Sequence, residues 1–497
     1  MNKNFYIRAL FTLAIFLIAI SLFNSFYPTS NSKKPNILLI IVDDLRPELK
    51  CYGKNHMKTP NIDKLASEGI LFTMAYCQVA SCLPSRQSFL TGLRPNEDFL
   101  IEYFRTKMPN LVTLPQYFKD HAYLTESIGK VFHIQDSISW TSAAYYPKPF
   151  LFFPEYRTVK NVEFQIESFK KGSFSKEQDL WWTDSERWYA GSSWEAPNLP
   201  EQQLYDGRIT VAAIERLQYL KDKTFFLAVG LHRPHLPFVA PKNFYDLYPI
   251  SEIKLSKNKN LPKGAPTLSI DRGLGEIEIY TDISKNLYSN ETKQKELLRG
   301  YFACVSYVDS LVGHLLKALE ANNLEKNTIV ILLGDHGYHL FEQGTFGKHT
   351  CFENSSRVPL IIRYPKLIKK DIKTDSLVEL VDLFPTLIDL ASLPHKNNID
   401  GESFIRVLKN PDLEHKEAAL TVIAMPGVGY KVISARTNRF RYTEWIHRKN
   451  KTVIKELYDY TNEPDESINL ANDPKYKKEI ARLSAILRSK VKKMQSL

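Results

Sequence analysis

Four strand-like runs along the chain, three of them continuously apolar, each stop at a cluster of ionisable residues. Residues 37–42 form an unbroken apolar stretch after Pro35-Asn36 and end in Asp43-Asp44. Residues 123–128 lead into Gly129, Lys130 and His133, and residues 224–229 lead into Gly230, His232, Arg233 and His235. Residues 328–333 lead into Gly334-Asp335-His336-Gly337. Short continuous apolar runs of this kind predict strands buried on both faces, as in a parallel sheet. Helical periodicity lies between them, at 61–68, 206–220 and 297–322, so the alternation predicts an α/β domain with a mainly parallel sheet flanked by helices. In such open sheets ligands bind beyond the carboxyl ends of the strands, which is where the ionisable residues gather here.

The remaining segments have other textures. Residues 140–200 and 249–290 are irregular, the first of them rich in aromatics and proline, and read as long loops over the sheet. Residues 377–393 carry a helical apolar period interrupted by Pro385. From about residue 418 the pattern changes to short strands at 419–424, 430–435 and 440–445, followed by a Lys-rich amphipathic helix over 475–494. The expected organisation is a large domain over 35–415 and a small C-terminal α+β subdomain over 416–497, built as an antiparallel sheet with a helix. Residues 1–34 differ from both. Lys3 and Arg8 precede an apolar run over 9–23 and a polar exit, the pattern of a secretory signal or an uncleaved N-terminal anchor. An exported protein is expected, secreted, periplasmic or lysosomal according to the host, with the membrane involved only through that segment.

Composition adds little beyond charge. Among 497 residues, 66 basic and 55 acidic side chains leave a formal charge of +11. The excess suits either an anionic partner or a Lys-rich solvated surface. Five cysteines form no Cys-x-x-Cys pair and no zinc-like cluster, and an odd count leaves at least one without an internal partner.

The candidate chemistry follows from the strand ends. An Asp-Asp pair alone is commonly a cap or a turn, but Asp43-Asp44 is matched by Asp335-His336 at a second strand end. Together they could give three carboxylates and an imidazole to one cation, Ca²⁺, Mg²⁺ or Mn²⁺ by the oxygen content, with Zn²⁺ left open by the histidine. In Cys82-Leu-Pro-Ser-Arg86, Pro84 suits the first turn of a helix and places Cys82 near the positive end of its dipole. There it is either a thiol nucleophile of lowered pKa or a buried structural cysteine. Lys130 and His133 would share one face of a helical turn. With His232 and His235, and with Lys348-His349 after the loop 337–347, they place several cations at one strand-end surface, suited to an anionic tetrahedral ester.

The motif Cys82-x-Pro-Ser-Arg86 with Thr91-Gly92 resembles the signature of the type I sulfatases. Further stretches resemble the iduronate-2-sulfatase branch of that family. They include Val42-Asp43-Asp44-Leu45-Arg46-Pro47, Gly129-Lys130-Val131-Phe132-His133, the run from Phe225 through His232-Arg233-Pro234-His235 to Phe238, and Gly334-Asp335-His336-Gly337. The resemblance implies an alkaline-phosphatase-like fold, with 35–415 as the catalytic domain. It implies one Ca²⁺ held by Asp43, Asp44, Asp335, His336 and residue 82, and Cys82 oxidised to formylglycine by a separate formylglycine-generating enzyme. Lys130, His232 and Lys348 would hold the sulfate oxygens, with His232 or Lys348 protonating the leaving alcohol. His133 would assist release of sulfate, and Arg86 would steady the hydrated aldehyde. The implied substrate is a sulfated oligosaccharide or polysaccharide, in particular the 2-O-sulfate of a uronic acid, and not nucleic acid.

Three departures from the family pattern bear on the substrate. Phe341 stands where relatives have glycine, Cys351 follows Lys348 closely, and an insertion between Pro365 and Leu377 is missing. Two other readings of the same residues are a phosphatase or phosphodiesterase of the same superfamily and an inactive glycan-binding homologue.

Overall fold

In the computed structural model, residues 34–95, 103–149, 151, 154–172, 190–270, 275–423 and 429–495 are described, with side chains to residue 489. The signal or anchor expected within 1–34 lies outside the described residues. Pro35–Leu497 forms one compact unit.

Its centre is an eight-stranded sheet. The strands are β1 (Asn36–Val42), β2 (Ile70–Tyr76), β3 (Leu124–Gly129), β4 (Phe225–Leu231), β5 (Thr328–Gly334), β6 (Arg357–Arg363), β7 (Ile372–Thr374) and β8 (Val378–Glu379). Across the sheet they lie in the order β7-β2-β6-β5-β1-β4-β3, with β8 also pairing to β2. β6 runs antiparallel to β5 and to β2, and the other pairings are parallel, so the sheet is mixed and mainly parallel as expected. The four strand-like runs of the sequence are the neighbours β5, β1, β4 and β3.

β1 shows why an unbroken apolar run is required. Leu38, Ile40 and Val42 face one core, with helices α3 (Tyr205–Leu220) and α4 (Glu291–Ala321). Ile37, Leu39 and Ile41 face the other, with Phe89 and Leu90 of α2 (Cys82–Thr91) and with α5 (Leu383–Leu390). Every residue of the strand is buried. Each such aliphatic side chain contributes about 1.5–3 kcal/mol on full burial, so a polar residue at either parity would disturb one layer. Helix α1 (Pro60–Ser67) lies among the same helices, its N-terminal N–H groups of Asn61 and Ile62 donating to the Asp309 carboxylate of α4.

Three sequence expectations need correction. Residues 377–393 do not form one helix: β8 and a 3₁₀ turn (Leu380–Asp382) precede α5, because 378–379 pair with β2. A helix over Val159–Lys170 lies inside the region read as loop, while 173–189 fall outside the described residues. Residues 130–133 make bends, not a helical turn.

The C-terminal region is a four-stranded antiparallel sheet, β9 (Ala419–Ile423), β10 (Tyr430–Arg436), β11 (Phe440–His447) and β12 (Val453–Asp459), with helix α6 (Lys477–Gln495) packed on it. It is joined to the main sheet just ahead of Cys82. Val422 N–H donates to the Gln78 carbonyl at 2.8 Å, and Thr421 Oγ1 donates to the Cys77 carbonyl at 2.9 Å.

Candidate active site

The sheet ladder continues past the strand ends onto the functional residues. Asp43 N–H donates to the Leu231 carbonyl at 3.1 Å and Asp335 N–H to the Val42 carbonyl at 3.2 Å, locking the ends of β5, β1 and β4 in register. At the next edge, a Cβ on Gly230 would lie 1.9 Å from the Lys130 carbonyl oxygen. Only glycine permits that approach, which brings Lys130 beside His232.

Asp43 and Asp335 are fully buried and share the guanidinium of Arg86. Its Nε donates to Asp335 Oδ2 at 2.8 Å and its NH2 to Asp43 Oδ1 at 3.3 Å. NH1 donates to the carbonyls of Lys130 and Val131, the latter at 3.1 Å. Arg86 is thus enclosed by four acceptors, a role that its planar fork fits and a lysine would not. Asp44 takes a left-handed backbone conformation, φ 58°, with its N–H on Asp335 Oδ1 at 3.1 Å. Its carbonyl accepts from the Tyr301 hydroxyl of α4 at 2.8 Å.

Cys82 is the first residue of α2, as Pro84 predicted, and is buried. Its Sγ lies 3.2 Å from His336 Nε2 and 3.5 Å from Lys348 Nζ. The helix terminus does not lower its pKa. Burial, and then the Asp43 carboxylate, push the thiol far above its ordinary range, against Lys130 and Lys348. These surroundings disfavour the thiolate, the nucleophilic form of an unmodified cysteine.

The other predicted cations surround the same point. Lys130 Nζ donates to Asp43 Oδ2, and Lys348 Nζ donates to Asp44 Oδ1 at 3.0 Å. Burial opposes charge on Lys348, but Asp44 first and then Glu276 raise its pKa well above the usual value. Asp43 is held well below the ordinary carboxylate range: burial works against this, and Lys130 and Arg86 overcome it. His133, His232 and His235 are buried, and burial followed by neighbouring cations holds each well below the usual imidazole value. The predicted site residues therefore all lie in one cluster, His133 included, although its segment is not helical.

For a metal, the donor atoms of Asp43, Cys82, Asp335 and His336 all lie within 4.8 Å of one another, and Asp44 forms an overlapping set with Cys82 and His235. His336 Nδ1 is 2.9 Å from the Gly337 carbonyl, which directs Nε2 towards the cluster. Buried carboxylates converging with one imidazole fit a hard divalent cation. The thiol is the one soft donor among them.

His235 lies in the site as expected, and two residues that pattern reasoning left out, Asp206 and Glu276, complete it. His235 Nδ1 is 2.8 Å from the Leu236 carbonyl, and its ring meets that of His232 edge to face at 4.8 Å. Asp206, in the first turn of α3, accepts from the backbone N–H groups of His232 at 2.9 Å and Arg233 at 2.7 Å. Glu276 reaches Lys348 at 3.3 Å and His235 at 3.2 Å. The Asp and Glu carry no motif, and their partners are remote in sequence.

The departures from the family pattern also find a place. Phe341 takes φ 75°, the left-handed conformation that glycine adopts without strain, and offsets it by burying its ring 4.6 Å from Phe346. Cys351 is a buried free thiol packed against Val432 and Trp445 of the C-terminal sheet, and all five cysteines are free.

Comparison with known proteins agrees with this arrangement. The profile of the sulfatase family matches residues 35–393, and that of the N-sulphoglucosamine sulphohydrolase C-terminal region matches residues 341–494. The chain belongs to the sulfatase family and is a sulfuric ester hydrolase with an alkaline-phosphatase-like fold. It is 37% identical to iduronate 2-sulfatase of Mus musculus over 421 residues, covering 77% of this chain and 73% of that protein. It is 32% identical to a sulfatase of Formosa agariphila over 470 residues, covering 91% and 86%. Among solved structures, a 2-O glycosaminoglycan sulfatase superposes with a TM-score of 0.68 at 22% identity, covering 93% of both chains.

Proposed function

We propose that this chain hydrolyses the 2-O-sulfate of a uronic acid in a sulfated glycosaminoglycan or similar polysaccharide, using a formylglycine made from Cys82. The observation that carries this reading is the convergence of Asp43, Asp335, His336, Arg86 and Lys348 on Cys82 at the start of α2. A neutral thiol in that position would contribute little, and conversion to the aldehyde would replace the soft sulfur by oxygen, matching the hard donors around it. The sugar and linkage are supported by the name of the mouse relative, by the neighbouring 2-O sulfatase structure and by the net positive charge.

Asp43, Asp44, Asp335, His336 and the modified residue 82 would hold one Ca²⁺, whose chemistry is to polarise the sulfate oxygens and favour the ionised nucleophile. Formylglycine at residue 82 would supply, once hydrated, a hydroxyl nucleophile toward sulfur. Lys130, His232 and Lys348 bind the sulfate oxygens. His232 or Lys348 gives its proton to the leaving alcohol, and His133 takes the proton whose loss expels sulfate. Arg86 fixes Asp43 and Asp335 and steadies the diol. A formylglycine-generating enzyme must act on the chain, and an export route is consistent with the basic and apolar N-terminus.

Peptide mass spectrometry across Cys82, on protein from its own host, tests this directly. The mass change of thiol to aldehyde is expected, together with release of sulfate from a 2-sulfated uronate disaccharide and its loss in Cys82→Ala. A thiol in protein that still cleaves the ester would refute the proposed nucleophile.

A further inference from the structure

Glu276 places a carboxylate among the cations that would grip a sulfate. It belongs to a short 3₁₀ segment, Gly275–Ile279, that reaches over the strand ends. The segment is anchored from below, with Ile277 and Tyr280 buried in the core and Thr281 N–H on the Gly191 carbonyl at 2.9 Å. Held in this way, the carboxylate meets Lys348 Nζ at 3.3 Å with one oxygen and His235 Nε2 at 3.2 Å with the other. Lys348 has a second tether on its other side. Lys348 bonds Asp44 at 3.0 Å, and His235 Nδ1 lies against the Leu236 carbonyl at 2.8 Å. Glu276 and Asp44 thereby fix Lys348 at two points, which a long lysine needs in order to keep a single rotamer.

The position of Lys348 explains why this matters. It borders a cavity of about 30 Å³ lined also by Glu276, Tyr338, Phe346 and His349, and it is 9% exposed against 2% for His232. Of the two groups able to protonate the leaving alcohol, Lys348 is the more exposed.

We propose that Glu276 is a positioning residue, holding Lys348 between residue 82 and the leaving oxygen so that the ammonium delivers its proton as the sulfur–oxygen bond breaks. The proton passes from Nζ to the sugar oxygen, the bonding pair goes with that oxygen, and sulfur takes its new bond from residue 82. The same carboxylate competes with sulfate for Lys348, and so keeps the product from binding tightly. This inference rests on the sulfatase reading of the site.

The test compares the wild type with Glu276→Gln and Glu276→Asp on two esters, a 2-sulfated uronate disaccharide and 4-methylumbelliferyl sulfate. A sugar alkoxide needs protonation to leave, whereas the aryl oxide leaves readily without it. Positioned general acids contribute about 10²–10⁴-fold, so the kcat loss of the Gln variant on the sugar sulfate should exceed its loss on the aryl sulfate by about tenfold or more. The Asp variant should recover part of the difference. Binding of inorganic sulfate, measured by calorimetry on the same proteins, should tighten in the Gln variant. Equal losses on the two esters, or weaker sulfate binding by a Gln variant that melts like the wild type, would overturn the role assigned to Glu276. A wild-type enzyme that cleaves neither ester would instead overturn the underlying reading of the site.

Discussion

Arg86 and Asp335 form a fully buried ion pair, Nε to Oδ2 at 2.8 Å, between the helix that carries Cys82 and the strand end that carries His336. The pair ties the helix that carries Cys82 to the opposite wall of the site. Removing one member of a buried pair costs roughly 3–5 kcal/mol, because the other charge stays buried without its partner. Arg86→Ala should therefore lower the melting temperature sharply and abolish turnover. Arg86→Lys should recover part of the stability and little of the activity, since one ammonium cannot reach two carboxylates and two carbonyls. Calorimetry alongside sulfate release checks both. A lysine variant with wild-type turnover would show that the fork geometry is unimportant.

Asp206 fixes His232 through its backbone, so its removal should act on catalysis from a distance. Each lost hydrogen bond to a charged acceptor costs about 1.5–3 kcal/mol. Asp206→Ala frees two N–H groups and should reduce kcat more than it raises KM. Asp206→Asn retains one acceptor and should fall between the two. Steady-state kinetics on both variants decide this, and an alanine variant that changes KM alone would contradict it.

The donor set predicts a specific response to chelation. A cation that binds only the folded chain adds about 2.7 kcal/mol when its free concentration is 100 times its Kd. Stripping the protein with a chelator should lower the melting temperature, and Ca²⁺ should restore it. Asp43→Asn or Asp335→Asn should abolish the restoration. A melting temperature that ignores chelator and Ca²⁺ alike would exclude a metal held by these residues.

Away from the site, Glu48 offers a pH test. Burial opposes its ionisation, but Arg46, with His56 and Lys54, brings the carboxyl from 4.5 down to about 2. A depressed carboxyl stabilises the fold above its unfolded value and loses that contribution as pH falls through the folded one. Ionised Glu48 should contribute on the order of 3 kcal/mol above pH 4.5, fading towards pH 2. The stability difference between wild type and Glu48→Gln should shrink over that window. Urea titrations at stepped pH measure it, and a difference that stays constant would disprove the coupling.

Sequence pattern revealed those parts of the molecule in which one strand or one helix makes its own signal. β1, β4 and β5 were legible because both faces are buried, which leaves almost no polar position to blur the run, and β3, which carries Thr125, Glu126 and Ser127, was read from the Gly-Lys cluster at its end. β6 was not. Pro359 sits inside it, and proline in a run reads as a strand breaker. The structure accommodates it where the register with β2 shifts, between Val358 and Leu360. The start of α4 was read six residues late, because its first turn, from Glu291, is polar and solvent-facing, while Asn290 caps it by accepting from Lys293 N–H at 3.0 Å. In the site, Cys82, Asp43 and Asp335 announce themselves by motif and position. Glu276 and Asp206 act through partners brought near only by the fold, and no local spacing encodes them.

The small sheet has a consequence for how such enzymes can change. Lys348 and Cys82 both stand on stretches of chain that lean on it. Glu353, five residues beyond Lys348, is held by Arg441 at 2.6 Å and Arg436 at 3.1 Å. Gln78, four residues before Cys82, is bonded to β9. The last eighty or so residues are thus not an appendage that can be trimmed or exchanged for another module without cost. A graft from a relative would arrive with its own settings for the nucleophile and for the lysine opposite it. Inheritance of the two sheets as a matched pair is the expected outcome, and chimaeras cut at their junction should fold more readily than they turn over.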